Sequence, residues 1–375
     1  MKKGISILLL TTLLFSIMVQ TVLATNATPE IYYQTATTTV LNGIQKNEYH
    51  NSNGQVMYQY NNIDTYVANN LSKRNLDQSA YELAKSIMTE IEGDSVEHLP
   101  TEYIMDALTY TDVTQMVSYI KVKADGTQVY MSKDAMMDEI MALHENNSEY
   151  AVAPMSFDGD FVSEDGYMEL TTTISQMITP SYCTDSRNKY YIISVISNWL
   201  IEPVQKFEDM LAFSYTPAIY NNHYTDYAYI VETAHCSECG KYYSVLNHST
   251  TYSESGVSYS DSAASNHINI VYNQGGGGLS CHVNFVANPS SYTCYHTVNG
   301  ISQDCVEITR MESSLRTCVY SQGNDFSTAV GYAHKWLSVG SISASFGIGT
   351  LGFSASVVTK YTEYFARPVT VTYNT

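Results

Sequence analysis

The spacing of apolar residues changes its period once along the chain. Between residues 77 and 144 it is helical. Ala80, Leu83, Ala84, Ile87, Met88 and Ile91 fall on one stripe that Gly93 ends, which predicts a helix over Asp77 to Glu92. Pro100 opens a second short helix through Leu108. Ser132 caps a third, Lys133 to His144, with Met136, Met137, Ile140 and Leu143 facing inward. Before the third helix comes a hairpin. Asp125-Gly126 is a two-residue turn signal, and counting outward pairs Val122 with Val129 and Ile120 with Met131 on one face.

Beyond Pro154 the period becomes two. Strands are predicted at Tyr167–Thr173, Tyr190–Ser197, Met210–Tyr215, Asp226–Val231, Tyr242–Val245, His267–Tyr272, His282–Val286, Val306–Thr309, Leu315–Tyr320, Ala329–His334 and Val369–Tyr373. The fold class is therefore α+β. A mixed helical N-terminal region, 25–148, precedes an antiparallel, sandwich-like β-rich region, 155–375. Asn146 to Pro154 reads as the linker, and a Ser-rich stretch near 248–266 marks a subdivision.

The most regular alternation is SISASFGIGTLGFSASV, Ser341 to Val357, nearly palindromic about Gly349-Thr350. A turn there pairs Ile348 with Leu351, Phe346 with Phe353, Ala344 with Ala355 and Ile342 with Val357 on one apolar face. The other face is serine and glycine. Small residues fit where something packs closely, so this face is expected to meet a partner layer. The serines and glycines exclude a single membrane-spanning helix. A membrane-entering hairpin remains open, because no charge occurs between Lys335 and Lys360, and Trp336 and Tyr361 could stand at the interfaces.

The start of the chain places it. Lys2 and Lys3 precede an apolar run from Ile5 to Val19, and Val22-Leu23-Ala24 offers a cleavage site. Residues 1–24 are expected to be a secretory signal peptide. The mature chain is then secreted or extracellular, with no transmembrane segment. Net charge is −19, and loss of Lys2 and Lys3 makes it more negative. Such a chain is repelled by phosphate backbones, so nucleic acid is not an expected partner. The 33 tyrosines suit half-buried strands and contact surfaces.

All seven cysteines follow residue 180. In an exported chain the plain reading is two or three disulfides that staple the β region, with one thiol left over. The sharper reading is zinc. Cys236-Ser237-Glu238-Cys239-Gly240 has the turn of a zinc knuckle, and Cys281, His282, Cys294 and His296 could complete a site. Cys236, Cys239, His282 and Cys294 form the candidate set; no cofactor is otherwise expected. Asp158-Gly159-Asp160 with Glu164, Asp165 and Glu169 departs from a calcium loop, since Val162 and Ser163 stand where a ligand and a glycine belong, and reads as a solvated turn. Gln274 to Gly278 lacks the lysine of a phosphate-binding loop. Hydrolase motifs are missing, which favours a non-enzymatic protein. Trp199 and Trp336 read as core or rim residues.

Two stretches carry a resemblance. One is Tyr190-Tyr191-Ile192-Ile193 leading to Trp199-Leu200, Pro203, Asp209 and Leu211-Ala212-Phe213. The other is Gly331-Tyr332-Ala333-His334-Lys335 running into the Ser/Gly hairpin. Over about half its length the chain resembles secreted β-rich proteins of Gram-positive, clostridia-like bacteria. The resemblance implies an exported bacterial β protein, and it implies no activity, cofactor or site residue. The first expectation is therefore a secreted or surface-associated binding module for an envelope or host glycan or protein. A membrane-active protein using the 341–358 hairpin is the second, and an envelope-polymer hydrolase the third.

Overall fold

A computed structural model of the chain describes residues 32–372 apart from 72–75, 124–126, 147–165, 202, 204–207, 217, 237, 273–276, 286–293, 299–300, 305, 323–324, 336–340, 348–349, 356–360 and 367–368. The expected signal peptide, linker, Asp158–Asp165 turn, Cys305 and Trp336 lie outside the described residues, as does most of Gln274 to Gly278.

Four layers stack on one another. The central one is a large antiparallel sheet. From edge to edge it runs through β1 (Tyr33–Val40), β2 (Ile44–His50), β3 (Val56–Asn61), β4 (Tyr110–Val122), β6 (Gly166–Met177), β7 (Lys189–Trp199), β17 (Val306–Ser321), β10 (Asp226–Cys236), β11 (Tyr242–Ser253) and β12 (Gly256–Tyr259). Strands β5 (Gln128–Met131) and β9 (Ile219–Tyr220) pair at its side with β4 and β17. A second antiparallel sheet packs on one face. Its order is β13 (Ile268–Tyr272), β14 (Gly278–Asn284), β8 (Glu208–Thr216), β18 (Asp325–Lys335) and β21 (Tyr361–Phe365), with β22 (Val369–Thr372) beside β18. Two small hairpins stand apart from both sheets: β15 (Tyr295–Val298) with β16 (Ile301–Asp304), and β19 (Ile342–Gly347) with β20 (Thr350–Ala355). The fold is thus a β-rich α+β fold.

Alternation places the cores. Tyr191, Ile193 and Val195 of β7 face the second sheet and meet Leu211, Phe213, Cys281, Val330 and Tyr332. Their neighbours Tyr190 and Ile192 face the helices, α1 (Ile63–Leu71), α2 (Leu76–Glu92) and α3 (Thr101–Met105). A strand buried on both faces reads as a continuous apolar run, and YYIISVI does so. Helix α4 (Lys133–Asn146) buries Met136 and Ile140 against Tyr119 and Tyr167. β4 and β6, on either side of the expected linker, pair from Tyr110–Met177 to Val122–Gly166. The two expected regions therefore share one sheet and one core.

One register and one strand boundary differ from the expectation. In the β4–β5 hairpin Val122 stands opposite Gln128 and Tyr119 opposite Met131, a slip of one residue. Lys123 donates its amide to the Thr127 carbonyl at 3.0 Å, so the connection holds three residues rather than two. The cause is β4 itself, which is largely buried on both faces and so does not penalise the slip through its own alternation. Val306–Thr309 and Leu315–Tyr320 are one long strand, β17.

The helical layer is tied to the main sheet by a buried charge. Arg316 of β17 is 1% exposed. Its guanidinium donates to Glu92 at the end of α2 (3.2 Å), to Asp106 (3.3 Å), and to the Tyr224 (3.2 Å) and Tyr110 hydroxyls. Tyr224 donates in turn to Asp106 at 2.8 Å. Burial pushes the Glu92 carboxyl above the usual range, and the guanidinium opposes it. Arg316→Leu should strand the buried Glu92 and the half-buried Asp106 and cost about 3–5 kcal/mol. A urea midpoint that stays within error of the parent would contradict this.

Asp226 gives a pH signature. It is fully buried and accepts from Thr317 and, at 3.1 Å, from Tyr220. Burial, against these hydrogen bonds, pushes its pKa up from 3.8 to about 7. Between those values the folded chain holds a proton that the unfolded chain releases. The stability this contributes is full below the lower value and is lost as pH rises through the upper one, with a slope of about 1.4 kcal/mol per pH unit. Urea midpoints measured across that window should show a flatter slope in Asp226→Asn; an identical slope would refute the assignment.

Candidate functional site

The β19–β20 hairpin forms the outermost layer. Its register runs from Ile342 opposite Ala355 to Gly347 opposite Thr350. This is displaced by two residues from the expected pairing. A two-residue slip keeps side chains on their faces, while the expected partners Ile348 and Val357 lie outside the described residues. Ile342, Leu351 and Phe353 are buried on the apolar face, against Met210 and Ala212 of β8 and Ala329 and Ala333 of β18. Ser343 and Ser345 on the other face are exposed among the described residues. The expected partner layer is not supplied by the described residues.

The hairpin sits on glycines. A Cβ on Gly331 would lie 2.8 Å from the Phe353 ring and 2.9 Å from that of Phe365. One on Gly278 would meet the Phe346 ring at 2.1 Å. Each phenylalanine therefore occupies the place a side chain would fill on the second sheet. The hairpin pairs with neither β8 nor β18, so packing rather than backbone hydrogen bonds joins the two layers. Its base is different. Lys335 ends β18 and Tyr361 begins β21, and the two stand opposite each other in the second sheet. Gly331 lay in a strand pattern, where an isolated glycine signals close approach, yet the sequence reading did not draw on it.

The second constellation is at the far end of β10. Cys236, Cys239, Cys294 and His296 bring their ligand atoms within 4.8 Å of one another. The Cys239 and Cys294 sulfurs are 3.7 Å apart, and Cys294 Sγ lies 3.0 Å from His296 Nε2. A disulfide needs about 2.0 Å. The six described cysteines form no disulfide with one another. Three of the four candidate residues thus converge, and His296 completes the group. His282 stands elsewhere, on β14, with Nδ1 2.9 Å from Glu208. Burial lowers its pKa while Glu208 opposes the shift. Cys281 is a core thiol whose pKa burial raises. Burial disfavours ionisation of Cys236, but hydrogen bonds from the Cys239 and Glu238 amides and neighbouring thiols bring it down to about 7. Trp199 is a core residue and donates to the Tyr332 hydroxyl at 3.3 Å. Glu169 lies on β6 beside Thr171, at 3.3 Å.

No family model matches the sequence, and no curated protein is similar to it. Among solved structures the chain is similar to one described as a pore forming protein, at 9% identity and a TM-score of 0.21, over 68% of this chain and 91% of that one. It is similar also to the Clostridium perfringens NetB toxin in its membrane-inserted form, at 10% identity and a TM-score of 0.20, over 52% and 89%. Likenesses this slight define no family.

The glycine seats give a direct prediction. Gly331→Ala should force the Phe353 ring out of its seat and cost about 1–3 kcal/mol. Protease sensitivity within 342–355 should rise while the rest of the chain stays resistant. Unchanged sensitivity would show that the seat does not hold the hairpin.

Proposed function

We propose that the protein is exported and membrane-active, and that its 342–355 hairpin leaves the second sheet to enter a bilayer. The observation that carries this reading is the manner of attachment. The hairpin is a two-stranded sheet of its own, docked by side chains, so it can lift away without breaking a backbone ladder.

The pattern suits the lipid environment. A bilayer-crossing strand needs about 9–11 residues with apolar side chains outward and polar ones inward. The chain between Lys335 and Tyr361 carries no acidic or basic residue before Lys360 and alternates in this way. β18 and β21 are antiparallel neighbours, so both arms can straighten as continuations of strands already paired. One bulged residue must be absorbed, because the register at Lys335–Tyr361 and that at Ile342–Ala355 differ by one. A lone hairpin in hydrocarbon leaves open edges, which lipid does not tolerate; several copies must therefore close a barrel. The serine and glycine face then lines the lumen.

Exposed Tyr242 and Tyr295, 68% and 66% accessible, support a second reading, a surface module for envelope or host glycans or proteins.

Dye-loaded liposomes test the first reading. The full mature chain should release dye. Ala344→Lys places a charge on the lipid-facing side at about 2–4 kcal/mol per copy and should abolish release, whereas Ser343→Lys, facing the lumen, should retain it. Absence of release at every pH and lipid composition, or equal loss in both variants, would overturn the proposal. Glycan binding without release would favour the second reading.

A further inference from the structure

We infer that Cys236, Cys239, Cys294 and His296 form a closed structural zinc site that fastens the β15–β16 hairpin to the end of the main sheet. This site is independent of the membrane reading.

The donor geometry fits. Zinc–sulfur bonds of about 2.3 Å in a tetrahedron set sulfurs about 3.8 Å apart. The Cys239–Cys294 separation of 3.7 Å matches that edge, and all four ligand atoms fall within 4.8 Å. Three thiolates and one imidazole leave no open position, which is the pattern of a structural centre rather than a catalytic one. Hard cations that take oxygen ligands are excluded by the same donors.

The surroundings are built to hold thiolates. The amides of Glu238 and Cys239 donate to the Cys236 sulfur, and the Lys241 amide donates to that of Cys239. Gly240, at φ +69°, permits this turn, and its own amide bonds the Cys236 carbonyl at 2.9 Å. The Tyr243 hydroxyl donates to Cys294. The Lys241 ammonium lies 4.7 Å from the Tyr243 ring, so a positive charge flanks a centre whose net charge is −1. Supporting contacts of this kind orient ligands and tune a metal site.

The local fold shows what a metal would join. Among the described residues β15 and β16 pair with each other, from Tyr295–Asp304 to Val298–Ile301. Tyr295 is exposed. A two-stranded hairpin is marginal alone in water. A metal bond from Cys294 and His296 to the β10–β11 turn supplies an attachment to the main sheet, as structural metals do in small modules.

The test uses the full mature chain, purified under reducing conditions, with zinc alone as the probe. One zinc per chain is expected by elemental analysis. Cobalt(II) in its place should give the intense visible bands and sulfur charge transfer of a tetrahedral thiolate site. His296→Ala and Cys239→Ser should lose the metal, and His282→Ala should keep it. Tyr243→Phe removes only the supporting hydroxyl and should weaken zinc binding about 10–100-fold without unfolding the chain. Chelation should open residues 294–304 to protease and leave the rest resistant. The inference fails if the reduced chain takes up neither metal, if His296→Ala keeps full zinc, or if the exported protein carries a disulfide among Cys236, Cys239 and Cys294.

Discussion

The hairpin at residues 342–355 depends on one constraint: aromatic rings seated where the second sheet has glycine. Phe353 lies over Gly331 and Phe346 over Gly278. Every strand of the two large sheets is held by a hydrogen-bonded ladder, whereas this hairpin is docked through its apolar face. Burying a phenylalanine is worth about 1.5–3 kcal/mol, so docking amounts to several kcal/mol spread over a few side chains. A lipid phase offers the same side chains a comparable apolar environment. On the proposed reading, the hairpin exchanges one apolar surrounding for another.

The remainder of the molecule is fastened differently. Arg316 holds the ends of the helical layer on β17 through hydrogen bonds to two carboxylates and two tyrosines, at 1% exposure. Breaking a buried pair of this kind is costly because a charge is left without its partner. Sheet and helix layers thus form one body held by backbone ladders and a buried charge. On the proposed zinc reading, the Cys/His cluster ties the β15–β16 hairpin to the end of that body.

Much of this was legible in the sequence because alternation has a strict meaning in a strand. The faces of Ile342, Ser343, Ser345, Leu351 and Phe353 followed from period two alone. The register did not. The palindrome that makes the faces clear also makes two registers, displaced by two residues, present the same face, so nothing in the pattern chose between them. In β4 the difficulty was the reverse: with both faces largely buried, a one-residue slip exchanged apolar partners without exposing them. The Cys-x-x-Cys-Gly turn and Cys294 were recognisable by spacing. His296, rather than His282, joins them because it follows Cys294 by two residues at the start of β15, while β14 carries His282 to Glu208. Tyr243 was invisible beforehand, since a supporting hydroxyl has no spacing rule. The shared sheet across the expected linker was hidden too, because pairing of β4 with β6 is a non-local choice.

The most direct measurement places an environment-sensitive fluorescent amino acid at positions 343, 344, 345 and 346 in turn and records its emission with and without lipid vesicles. The vesicles carry a quencher confined to the acyl chains. Alternation is the predicted result: positions 344 and 346 are quenched by the lipid-borne quencher, and positions 343 and 345 are not. Absence of quenching at all four positions would contradict a hairpin that leaves its glycine seats for the bilayer.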